Sequence, residues 1–155
     1  MFYTLEYKGN FYKMNNTYTK EFKTGYMTWK VNKFFGGGIK SFIINCGRAK
    51  IPNCVNHPHN YYLEILSELG IVGFILISII FLIITFKTFI KKYFTLSKLK
   101  ENYVITPFIF LFLMEIFPIR NTGSFFSTVN ATYLFLIMSI LVGLLKKHNL
   151  IEKKT

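Results

Sequence analysis

Gly70–Ile90, GIVGFILISIIFLIITFKTFI, is a nearly unbroken apolar run interrupted only by Ser78, Thr85, Lys87 and Thr88. At about 1.5 Å of rise per residue, such a run crosses the roughly 30 Å of a bilayer's hydrocarbon as one helix. Downstream, Ile105–Phe117 is shorter and needs flanking residues on both sides, which extends it to 103–118, and Val129–Leu145 is a third apolar run. Pro107 stands near the start of the second run, where a missing backbone donor matters least. The reading is an all-α polytopic membrane protein. A transmembrane region over 70–155 holds spans at about 70–90, 103–118 and 129–145, and a polar segment, 1–69, precedes it.

Composition agrees. The chain is 52% hydrophobic and 19% aromatic with only 17% charged residues, against about 25% charged in an average soluble domain. Nine of its nineteen basic residues lie before His57. A formal net charge of +12 would suit nucleic acid. Anionic headgroups or a diphosphate account for the same charge, and with three spans present we expect no nucleic-acid partner.

Loop charge sets the orientation. Lys87, Lys91, Lys92, Lys98 and Lys100 crowd the first connection, and Lys146, Lys147, Lys153 and Lys154 the tail, while Pro118–Thr128 has only Arg120. The lysine-rich parts belong in the cytoplasm, so His57, His59 and Arg120 face the periplasm. The basic segment before Gly70 would then lie outside with no apolar leader ahead of it. This predicts that the chain is a fragment of a larger multi-span protein; a complete small protein of reversed topology is the alternative.

Within 1–69, Phe22, Tyr26, Trp29 and Lys33 fall at helical spacing, with Thr19 as N-cap and Lys20, Lys23 and Lys30 around them. An aromatic, basic helix suits a membrane interface; packing of its aromatics on the bundle is the plainer alternative. Phe35-Gly-Gly-Gly-Ile-Lys-Ser-Phe42 then reads as a tight turn. It lacks the ending of a phosphate-binding P-loop. Cys46 and Cys54 enclose Arg48 and Pro52. In an oxidising compartment they form a disulfide. Zinc held by Cys46, Cys54, His57 and His59, or two free thiols, are the other possibilities.

His57-Pro-His59-Asn60 runs straight into the long helix, which begins within Pro58–Tyr61 because Pro58 favours a first turn and Asn60 can cap. His59 therefore sits at a helix N-terminus, where free N–H groups and the positive dipole end receive phosphate. The same field disfavours imidazolium and leaves a neutral ring to act as a base. Tyr61 and Tyr62 suit an aromatic belt. Glu64 and Glu68 share a face with Asn60: Glu64 is a candidate contact for acceptor hydroxyls, Glu68 a solvated residue. Glu115 either reaches water near Pro118 or is a functional intramembrane acid. Gly70 and Gly73 allow close approach of a neighbouring helix.

His59-Asn60, nine residues, then Gly70-x-x-Gly73 resembles the signature of the O-antigen ligase and polymerase superfamily, and Gly36-x-Gly38-x-x-x-Phe42 resembles the element that precedes it. Many relatives carry arginine just past that phenylalanine, where this chain has Ile43. The resemblance implies the C-terminal part of a multi-span glycosyltransferase of GT-C-like type in the bacterial inner membrane. It would move polysaccharide from undecaprenyl diphosphate to lipid A-core or another acceptor sugar at the periplasmic face. It implies His59 as the catalytic base and arginines on the diphosphate; Arg48, Arg120, His57, Asn60 and Lys40 are the further substrate-binding candidates here. It implies no metal and no cofactor. An O-antigen polymerase, or a non-catalytic membrane piece binding lipid or a partner protein, are the alternative readings.

Overall fold

The computed structural model describes residues 17–52, 54–90 and 103–152, and all regular structure among them is helical. The elements are α1 (Thr17–Trp29), α2 (Phe42–Arg48), α3 (Tyr61–Thr85, continued by a π-helical turn over Phe86–Ile90), α4 (Thr106–Glu115) and α5 (Thr128–Glu152).

The start of α3 lies where the sequence places it. Asn60 adopts an extended backbone, and its Oδ1 accepts the N–H groups of Tyr62 and Leu63 at 3.1 and 3.2 Å, so two of the donors a helix start leaves unpaired are satisfied. The helix is not continuous. Gly70 has φ 69° and ψ −171° and breaks it, in a region that essentially only glycine enters. Across the break the rings of Tyr62 and Phe74 stand 6.1 Å apart, whereas an unbroken helix would separate those positions by about 18 Å along its axis. The first part, 61–69, therefore bends back over the second.

What closes the break is the glycine-rich turn. Gly37 N–H donates to Ser67 O at 3.1 Å and Gly38 N–H to Glu68 O at 2.9 Å; in return Ile71 and Val72 N–H donate to Lys33 O and Phe34 O at 2.9 and 3.2 Å. Carbonyls and amides stranded at the two new helix ends are thus paired without water. Gly36 and Gly70 both have positive φ, and a Cβ on Gly36 would collide with the backbone of Glu68, one on Gly70 with that of Phe34. The close approach expected at Gly70 is therefore real, but the neighbour is this turn rather than another helix. A Cβ on Gly73 would collide with Leu69 Cβ, just across the break.

α1 starts at Thr17, so Thr19 lies inside its first turn and is not the cap. Thr24, Gly25 and Thr28 are its buried face. A Cβ on Gly25 would come 2.8 Å from Pro58 Cβ and 3.1 Å from Leu63 Cβ, so a small residue there lets α1 lie against the start of α3. Of the helix's aromatics, Tyr26 turns outward while Phe22 and Trp29 are half-buried. Tyr26 is exposed, with Trp29 5.6 Å from it and the Lys30 ammonium 4.5 Å from its ring centre.

α3, α4 and α5 share a core built on Ile65, Phe81, Ile109, Phe112, Leu134 and Leu141. Two helices are long and apolar enough to cross a membrane, Tyr61–Thr88 and Thr128–Lys147. Of their most apolar windows only 17% and 28% are buried in the protein, whereas the core helix of a soluble domain buries most of such a stretch. The expected span at 103–118 is the shorter α4, which rises about 15 Å. It carries Pro107 in its first turn, as the sequence suggests, and ends before Pro118. Of the basic residues that set the orientation, Lys91, Lys92, Lys98, Lys100, Lys153 and Lys154 lie outside the described residues.

Candidate active site

Three side chains from two elements converge ahead of α3. His59 immediately precedes the cap and has φ 50°, a left-handed conformation that an L-residue with a side chain adopts at a cost of about 1–2 kcal/mol. Its ring centre lies 4.2 Å from that of His57. Its Nε2 lies 3.9 Å from Glu21 Oε1 on α1, with the His59 side chain 36% exposed and that of Glu21 14%. The imidazole is thus open on one side and backed by a carboxylate on the other.

His57 is the more enclosed ring. Its Nε2 is buried without a hydrogen-bond partner among the described residues. Burial first, and then the neighbouring His59, hold its pKa below the ordinary histidine value; Glu21 opposes them in part. A neutral His57 spares the site a second positive charge beside His59.

The loop 116–127 is laced to the start of α3. Thr122 N–H donates to His59 O at 2.9 Å. Asn60 Nδ2 donates to Pro118 O at 2.8 Å and to Arg120 O at 3.4 Å. Tyr62 OH donates to Ile116 O. Glu64 accepts from Ser124 Oγ and from Phe125 N–H, both at 2.6 Å. Arg120 is therefore brought to the His59 end of the molecule through its backbone. Its guanidinium pairs with Glu115 and donates to Met114 O at 3.2 Å, with the side chain 42% exposed. Glu115 also accepts from Tyr61 OH at 2.7 Å and is buried, so of its two readings the one that has it reach water does not hold.

Glu68 is likewise buried rather than solvated. Its carboxylate accepts Lys40 N–H at 2.6 Å and Phe42 N–H at 3.4 Å, which fixes the turn at the start of α2. Lys40 itself has φ 60° and an exposed side chain, and Arg48 is exposed at the end of α2. Among the described residues, no hydrogen bond or ion pair links either side chain to the histidines. Cys46 and Cys54 are bonded as a disulfide with Cα atoms 5.9 Å apart. The bridge ties α2 to the segment leading into His57 and uses both thiols that a zinc site would need.

Sequence reasoning missed Glu21, the carboxylate facing His59. Its one visible signal is that no other acid occurs between Phe22 and Leu63 or within the described part of α1. Thr122, also missed, is buried beneath His59 with its hydroxyl unpaired.

The two motifs carrying the earlier resemblance are those that meet at Gly36, Gly38 and Gly70. Residues 7–78 match the O-antigen ligase family. The matched stretch includes the glycine-rich turn, both histidines and the break in α3; Glu115 and Arg120 lie beyond it. Function of the O-antigen ligase or polymerase kind, in a membrane, is what this family supports. Comparison with curated proteins and with solved structures finds no match.

Proposed function

We propose that this O-antigen ligase-like chain transfers polysaccharide from an undecaprenyl-diphosphate-linked donor to a sugar hydroxyl of lipid A-core or another acceptor, at the periplasmic face of the bacterial inner membrane. The observation that carries the proposal is His59: inside the family match, half open, in a left-handed backbone position and backed by Glu21. In the reaction the acceptor oxygen bonds to the anomeric carbon, and the bond from that carbon to the diphosphate oxygen breaks. The bonding pair leaves with the diphosphate, and the hydroxyl proton passes to the free ring nitrogen of His59. Glu21 then faces the imidazolium so formed. Arg120 or Arg48 stabilises the leaving diphosphate. For Arg120 this means exchanging its partner Glu115 for phosphate oxygens, and its exposed side chain allows that. We assign Asn60 to capping α3 and, with Glu64, to holding the loop 116–127 in place, because their polar atoms are occupied by those groups. Three spans, with α4 completing the second, are part of the same proposal.

The test is His59→Ala in the full-length protein, in its own host. Surface polysaccharide should be lost, and the lipid-linked donor should accumulate. Normal polysaccharide on that variant would leave a non-catalytic, lipid- or partner-binding piece as the better reading.

A further inference from the structure

We propose that the surface formed by Val31, Phe34, Phe35, Ile39, Ile43 and Ile44 is sunk into the outer leaflet of the bilayer that α3 crosses, as a wedge beside the span. Phe34 is 69% exposed, Phe35 79% and Ile39 61%. Six large apolar side chains within fourteen residues, left open to this degree, mark an interaction surface rather than ordinary scatter.

Position identifies the occupant. The stretch that can cross the bilayer begins after the break at Gly70; residues 71–88 rise about 27 Å, close to the thickness of the hydrocarbon. Its first turn therefore lies at the membrane boundary. Lys33 and Phe34 are bonded to that turn through the N–H groups of Ile71 and Val72, so they lie at the boundary too. The span itself also leaves apolar side chains exposed in its first turns, at Val72, Ile75 and Leu76.

Chemistry agrees with position. Tyr26 and Trp29 pair one turn before the patch, their rings 5.6 Å apart and tilted at 45°, and exposed Lys33 and Lys40 flank it. No acid occurs from Phe22 to Leu63. Aromatic and aliphatic side chains rimmed by lysines fit acyl chains beneath anionic headgroups. This rests on α3 crossing the membrane and is independent of what His59 does.

The chain has one tryptophan, Trp29, and its indole N–H donates to Lys33 O at 3.1 Å. It is a built-in reporter beside the patch. The full chain is reconstituted in phosphatidylcholine–phosphatidylglycerol vesicles carrying lipid brominated either near the headgroup or near the methyl terminus. Bromine near the headgroup should roughly halve Trp29 emission, with the deeper bromine and aqueous iodide much weaker. In Phe34→Ser/Phe35→Ser, with helicity by circular dichroism unchanged, emission should shift red and the bromolipid quenching should largely disappear. Quenching by iodide but not by bromolipid in the wild type would overturn the proposal by showing a free surface. Shielding from both quenchers would overturn it by showing a protein partner or a second copy. Strong bromolipid quenching together with a fully active His59→Ala variant would leave this inference standing and remove the proposed reaction.

Discussion

At His59 the chain spends backbone strain to aim one ring. A left-handed residue placed directly before a capping asparagine turns the imidazole off the helix axis, toward α1 and away from the core. Glu21 is the group it meets, and at 3.9 Å a carboxylate and an imidazolium attract by about 1 kcal/mol in water and by several times that near a protein surface. Glu21→Gln keeps the shape and removes the charge. We expect turnover to fall roughly tenfold, about 1.4 kcal/mol of barrier, with KM little changed and Glu21→Asp recovering part of the loss. Equal turnover in wild type and Glu21→Gln would remove Glu21 from the mechanism. The His59 position was legible because Asn60 caps in a way local sequence specifies. Glu21 was not, since the pairing depends on α1 lying against Pro58, and a glycine at position 25 announces that contact only once the partner is known. The roles of Asn60 and Glu64 toward substrate were not legible either, for a related reason. Polar side chains at a helix mouth look alike whether they face a sugar or a loop sixty residues downstream.

Among the elements, α3 matters most, and it is two helices sharing one sequence. Hydropathy reads straight through Gly70 because the residues on both sides are apolar; nothing local says that the carbonyls before it and the amides after it leave the helix ladder. The partners are backbone groups at 33–38, which carry no side-chain signal beyond the glycines. Gly70→Ala should destabilise the protein by roughly 2 kcal/mol or more, from the positive-φ conformation and the clash with Phe34 together. Gly143→Ala in α5 should cost little, since nothing lies within 4 Å of a Cβ built there. Thermal unfolding in detergent compares the two, and an equal effect from both would mean that the break at Gly70 is not built as described. The span reading was most reliable where hydrophobicity alone decides, in α3 and α5. It was least so at α4, whose helix stops after ten residues.

For the whole molecule, the arrangement gathers the start of α3, the end of α4 and the start of α5 at one end, around the histidines. The α3 terminus near Lys87 and the α5 residues Lys146 and Lys147 lie at the far ends of their helices. Loop charge assigns these ends to opposite sides of a membrane. The native cysteines are tied up in the disulfide, so an added one reports cleanly. In spheroplasts, Asn121→Cys should react with an impermeant maleimide, while Lys87→Cys should react only after permeabilisation. The reverse pattern would turn the protein over and put the site in the cytoplasm. That exchange of ends is the one thing the alternating spans alone could never exclude, because a helix bundle read upside down has the same hydropathy.

The clasp at Gly70 also bears on how such a chain can change over generations. Its four bonds run between main-chain atoms, so the bonds themselves ask nothing of the side chains at 33, 34, 67 and 71, as long as none of the donating positions becomes proline. The burden of inheritance falls on two residues with no side chain to inherit, Gly36 and Gly70. In a lineage of this protein the joint would persist as a pair of fixed blanks inside otherwise restless text.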